Sequence, residues 1–155
     1  MQVQKLVYKL NLLPYPDGGF YKETYRSEGQ ISQGSLNEQF SGKRYYCTGI
    51  YFLLKKDNFS DLHKIKQNEM WQFYDGNPLV VHVLNKEKHY SKQLIGNILS
   101  KNETPQFVVP KGSWFASCVE DQGEYSLVGC TVSPGFDFDD FELAISVPII
   151  KKYLS

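Results

Sequence analysis

The sequence predicts an all-β protein: an antiparallel sandwich or barrel of about eight or nine short strands, with a short helix at each end. A jelly roll fits that strand count. Three observations carry the prediction. Short segments rich in Val, Ile, Tyr, Phe and Trp recur along most of the chain. Turn residues separate them at regular intervals. Helical periodicity is confined to the two ends. The 155 residues suit one domain spanning 1–155, with no internal repeat and no linker.

Val3, Leu6, Val7 and Leu10 fall at i, i+3, i+4 and i+7, the spacing of one helix face. That helix should stop before Pro14-Tyr15-Pro16-Asp17-Gly18-Gly19, where prolines and glycines break regular structure. Residues 20–27 alternate and read as a strand, and the Gly/Ser-rich stretch 28–43 reads as a loop. Further β signals follow at 44–54, 62–66, 69–75, 79–85, 88–96, 106–110, 113–120 and 123–134. The tail 145–155 reads as a terminal helix with Ser146 as N-cap and Pro148 in its first turn.

The 17 basic and 17 acidic residues balance, and no basic stripe interleaved with aromatics is present. Nucleic acid is therefore not an expected partner. Aromatic residues make up 15% of the chain, which suits β structure and an aromatic-lined pocket. Cys47, Cys118 and Cys130 are odd in number and lack C-x-x-C spacing, so they read as buried, reduced thiols of a cytoplasmic protein. Lys9 and Asn11 interrupt the first apolar run, so it does not read as a secretory leader, and no stretch has the ~18 apolar residues of a membrane span.

The candidate site lies in Phe59–Gly76. If 62–66 and 69–75 are neighbouring strands, side-chain alternation turns His63 inward with Ile65, and Glu69 inward with Trp71 and Phe73. An imidazole and a carboxyl then face each other among large apolar groups.

These residues resemble the cupin superfamily. Its first motif, H-x-H-x3-E-x6-G, is met by His63-Lys64-Ile65, Glu69 and Gly76. Its second, P-x-G-x2-H, is met by Pro110, Gly112 and, in place of the histidine, Phe115. The resemblance is closer to the DUF985 or cupin-5 family, on 16–27, 48–54, 62–76, 105–117 and 125–144. Tyr15 stands where that family usually has His, and Lys64 where it usually has Arg. The resemblance implies a double-stranded β-helix barrel with a central pocket, usually a homodimer. It does not imply a reaction.

In metal-binding cupins four positions ligate the ion. Here they carry His63, Ile65, Glu69 and Phe115, two of them hydrocarbon, so no metal and no cofactor are expected. Tyr51, Gln106, Phe115, Glu23 and Tyr25 join His63, Glu69, Trp71 and Phe73 as candidate ligand-binding residues. Asp137, Asp139, Asp140 and Glu142 read as solvated, with Phe136, Phe138 and Phe141 as packing anchors. The expected function is binding of a small polar molecule, sugar- or metabolite-like, in the pocket. The alternative is a metal-independent sugar epimerase or isomerase, with His63 as general base and Glu69 as its partner in proton transfer.

Overall fold

A computed structural model describes residues 2–15 and 18–144. The expected tail helix lies outside them. At the N-terminus, the apolar spacing makes helix α1 (Gln2–Lys9). Strands β1 (Leu13–Pro14) and β2 (Phe20–Arg26) flank the glycine turn. β3 (Gln30–Ile31) and β4 (Arg44–Tyr45) form a separate two-stranded ribbon bracketing the polar loop. β5 (Thr48–Lys55), β6 (Phe59–Lys64), β7 (Asn68–Gly76), β8 (Leu79–Leu84) and β9 (Tyr90–Ile95) follow. β10 (Glu103–Thr104), β11 (Gln106–Val109), β12 (Trp114–Val119), β13 (Tyr125–Ser133) and β14 (Glu142–Leu143) complete the order.

The strands build two six-stranded sheets, ordered β1-β2-β5-β13-β7-β11 and β10-β9-β8-β12-β6-β14. All pairs are antiparallel except β10 with β9. No ladder joins the two sheets among the described residues, so the closed barrel expected from the sequence is here a pair of open sheets. Their inner faces share one core. Phe52, Leu54, Trp71 and Val128 come from the first sheet; Leu79, Val81, Val83 and Phe115 come from the second. Alternation explains the split on β8: Leu79, Val81 and Val83 are buried in the core, while His82 points out.

The outer face of the first sheet is covered in part by α1, whose Val3, Leu6 and Val7, with Leu10 just past its end, pack on Leu53, Tyr125 and Leu127. β13 is thus buried on both faces, which its run of apolar and small residues reflects. Gly19 has φ +81, and a Cβ there would stand 2.5 Å from the Leu53 carbonyl oxygen, so only glycine lets β2 enter the sheet at this turn.

The segment 134–141 crosses one end of the core. Arg44, only 4% exposed, donates from Nε to Asp140 Oδ2 at 2.9 Å and from Nη2 to Asp140 Oδ1 at 2.8 Å. Gln67 Nε2 donates to the same carboxylate at 2.7 Å and to the Gly135 carbonyl at 3.2 Å. Asp140 is therefore a buried anchor, not the solvated acid its acidic neighbours suggest. Phe138 is the converse correction: it is 71% exposed, while Phe136 and Phe141 pack against the core. Of the three free thiols only Cys130 is buried; Cys47 and Cys118 are partly exposed. No helix among the described residues is long and apolar enough to cross a membrane.

Candidate functional site

Between the sheets, under segment 134–141, lies a cavity of about 280 Å³. Its walls are mainly carbon: Tyr15, Tyr21, Ile50, Phe52, Ile65, Trp71, Val132, Phe136, Phe138 and Phe141. The polar groups are Glu23, Arg26, Thr48, Ser60, His63, Glu69 and Cys130.

His63 and Glu69 both line it, as alternation requires, but they do not sit on neighbouring strands. β6 belongs to the second sheet and β7 to the first, so the pair comes from opposite walls. The residues between them form the crossing from one sheet to the other, which carries buried Ile65 and Gln67.

His63 Nδ1–H donates to the Asp61 carbonyl at 2.6 Å. That bond selects the tautomer and leaves Nε2 as the acceptor nitrogen. The ring lies against Phe115, 4.1 Å between centroids, and stacks on Phe141 at 5.2 Å and 29°. Burial lowers the imidazole pKa below its usual value, with the Asp61 bond opposing in part, so the ring is a neutral base at pH 7.

Glu69 is the more unusual group. Its Oε2 is buried without a hydrogen-bond partner, and so is Trp71 Nε1 on the same face of β7. Burial pushes the Glu69 carboxyl up from 4.5 to about 7. The nearby Trp71 indole opposes this in part, although the two side chains make no hydrogen bond of good geometry. Cys130, across the β13 ladder from Trp71, has its thiol pKa pushed well up by burial first and Glu69 second, which keeps the thiol protonated. At the cavity edge Arg26 Nη2 donates to Glu23 Oε1 at 2.5 Å.

Five candidates do not line the cavity. Tyr51 lies between inward-facing Ile50 and Phe52, so it points to the outer face, where it meets Tyr74 edge-on at 5.9 Å. Phe73 points inward but packs farther along the core than Trp71. Gln106 pairs with Gln72, whose amide reaches Thr131 away from the core, so Gln106 faces outward too. Phe115 is 1% exposed and sits behind the His63 ring. Tyr25 is 57% exposed because β2 carries a bulge at Thr24: Glu23 lies opposite Ile50, and Tyr25 opposite Gly49. The same bulge returns Arg26 opposite Thr48 and into the cavity, whereas strict alternation from Glu23 would turn it to the other face. Of the other histidines, His82 faces away from the core, with Nδ1 2.7 Å from the Tyr90 hydroxyl and Nε2 3.8 Å from Cys118 Sγ.

The cavity does not fit a cupin metal centre. Ile65 and Phe115 fill two ligand positions with hydrocarbon, and the described residues contain no cluster of three or more His, Cys, Asp or Glu able to hold a metal ion.

The chain's family and neighbours agree with this architecture. Residues 4–144 match the family model described as Cupin superfamily (DUF985). An uncharacterized protein of Saccharomyces cerevisiae, YML079W, is 30% identical over 152 residues, covering 89% of this chain and 73% of the yeast protein. A solved structure of a hypothetical protein from Leishmania major superposes with a TM-score of 0.85 at 33% identity, over 97% of this chain and 92% of that one. Protein SO0799 from Shewanella oneidensis gives 0.82 at 36% identity, over 97% and 89%. Oxalate decarboxylase from Bacillus subtilis gives 0.58 at 14% identity, over 84% of this chain and 29% of that one, a likeness of fold alone.

Proposed function

The chain belongs to the DUF985 family of the cupin superfamily, and on that premise we propose that its two sheets form a cupin jelly roll whose cavity binds a small molecule. The observation that carries this reading is the pair of unpartnered polar atoms, Glu69 Oε2 and Trp71 Nε1, on the wall of a mainly apolar cavity. Leaving a buried polar group unpaired costs roughly 1–3 kcal/mol. A fold selected only for stability would have apolar side chains at both positions, and a ligand supplies the missing partners. The cavity volume lies near the lower end of the roughly 300–1,000 Å³ typical of ligand sites. Native mass spectrometry of freshly purified protein is expected to show a non-covalent adduct, released and identified on denaturation. A bare polypeptide mass that no small molecule alters would contradict the reading.

His63 favours a second, enzymatic reading. Its Nδ1–H is committed to Asp61, so the neutral ring presents Nε2 as a base beside a carboxyl that can return a proton. In that case the protein catalyses proton exchange next to a carbonyl, as an isomerase or epimerase does. Incubation of the identified ligand in D2O is expected to exchange its α-proton with wild-type protein but not with His63→Gln. No exchange above the uncatalysed rate leaves the protein a binder.

A further inference from the structure

We propose that the cavity takes an uncharged, flat, largely apolar molecule and holds it by a carbonyl oxygen that accepts hydrogen bonds from the Trp71 indole and the Glu69 carboxyl group. The inference rests on reading the cavity as a binding site. It departs from the small polar, sugar- or metabolite-like ligand that the sequence suggested.

Trp71 sets the polarity of the missing partner. It is 2% exposed, its Nε1 has no partner, and an indole N–H can only donate. Two residues along the same strand face, Glu69 Oε2 is also buried and unpartnered. With its carboxyl protonated up to about pH 7, Glu69 offers an O–H. Two donors two residues apart on one strand face suit one oxygen with two lone pairs, which a ketone, aldehyde or amide supplies. A protonated carboxylic acid donating to a substrate oxygen from an apolar site is an established device in catalysis.

Charge selects in the same direction. The titratable groups facing Glu69 across the cavity are His63 from β6, Cys130 from β13, and Tyr21, Glu23 and Arg26 from β2, with Tyr15 preceding it. His63 is neutral, the Cys130 thiol is protonated, and Arg26 is bound to Glu23. Among the described residues lining the cavity, no unpaired charge awaits an anion or a cation. Phe52, Phe136 and Phe141 supply flat apolar walls instead.

The test uses four probes with one ring skeleton: acetophenone, 1-phenylethanol, 1-phenylethylamine and benzoate. The chain has two tryptophans, so its 15N spectrum carries two indole N–H signals, and a Trp71→Phe variant assigns them. Acetophenone is expected to bind about tenfold more tightly than the other three and to move the Trp71 indole proton downfield. Its affinity is expected to fall about tenfold from pH 6 to pH 8, as the protonated fraction of Glu69 falls. Glu69→Gln keeps a donor amide, so it should bind acetophenone with no pH dependence over that range. Equal or tighter binding of the alcohol, the amine or benzoate at the cavity would overturn the carbonyl inference and leave the binding reading standing, as would pH-independent binding by wild type. If no probe moves any cavity resonance, the carbonyl inference falls, and the native-mass adduct decides the binding reading.

Discussion

Between pH 4 and pH 8 the wild-type protein is expected to lose about 3 kcal/mol of folding stability that the Glu69→Gln variant keeps. The folded-state carboxyl is raised from 4.5 to about 7, chiefly by burial. Between those values the folded protein binds more protons than the unfolded chain, so stability falls as pH rises through the window. Above pH 7 both states are ionised and the loss is complete. The gap corresponds to about 3 kcal/mol at about 1.4 kcal/mol per pH unit. An amide at position 69 does not titrate, so the variant should overtake wild type towards neutral pH. Urea unfolding of both proteins at pH 4, 6 and 8 measures the difference; parallel profiles would show that Glu69 is solvated in the folded protein.

Asp140→Ala is expected to destabilise the protein by about 3–5 kcal/mol, the usual result of removing one partner of a buried ion pair. Arg44 would keep its charge at 4% exposure with two hydrogen bonds lost, and Gln67 would lose a third. The effect should reach the cavity, because the same clamp holds the segment bearing Phe136 and Phe141. Replacing both partners with apolar groups, as in Arg44→Met with Asp140→Leu, should recover much of the loss. Urea unfolding of the single and double variants checks the sign and the coupling. A single variant within about 0.5 kcal/mol of wild type, the range of an ordinary surface change, would remove Asp140 from its anchoring role.

The strands were legible because their signal is local. Turn residues and β-branched or aromatic runs mark β7, β8, β12 and β13 within a few residues of their ends. Alternation also turned His63, Glu69 and Trp71 into the interior. It could not tell which sheet each strand joins, since that depends on ladders between segments far apart in the chain, such as β13 with both β5 and β7. The bulge at Thr24 was silent for a related reason. One extra residue breaks the period of two, and nothing in 20–26 announces it, so strict alternation would keep Tyr25 on the face of Glu23 and turn Arg26 to the other. Asp140 looked solvated because it sits among acids; its partner Arg44 lies 96 positions away. Phe136, Phe138 and Phe141 mix a spacing of two with a spacing of three, so no single period marks them, and their role exists only once Arg44 and Gln67 hold the segment in place.

The central claim is that Glu69 and His63 serve the cavity's occupant and not the fold. The most direct test is native mass spectrometry and thermal melting of wild type beside His63→Leu combined with Glu69→Met. Both substitutions replace polar groups with apolar ones of similar size, and Glu69→Met also removes an unpartnered carboxyl oxygen. The account predicts a double variant that melts at or above the wild-type temperature and has lost the adduct wild type carries. A variant that retains the same adduct undiminished, or one that no longer folds, would show that the two residues are scaffold.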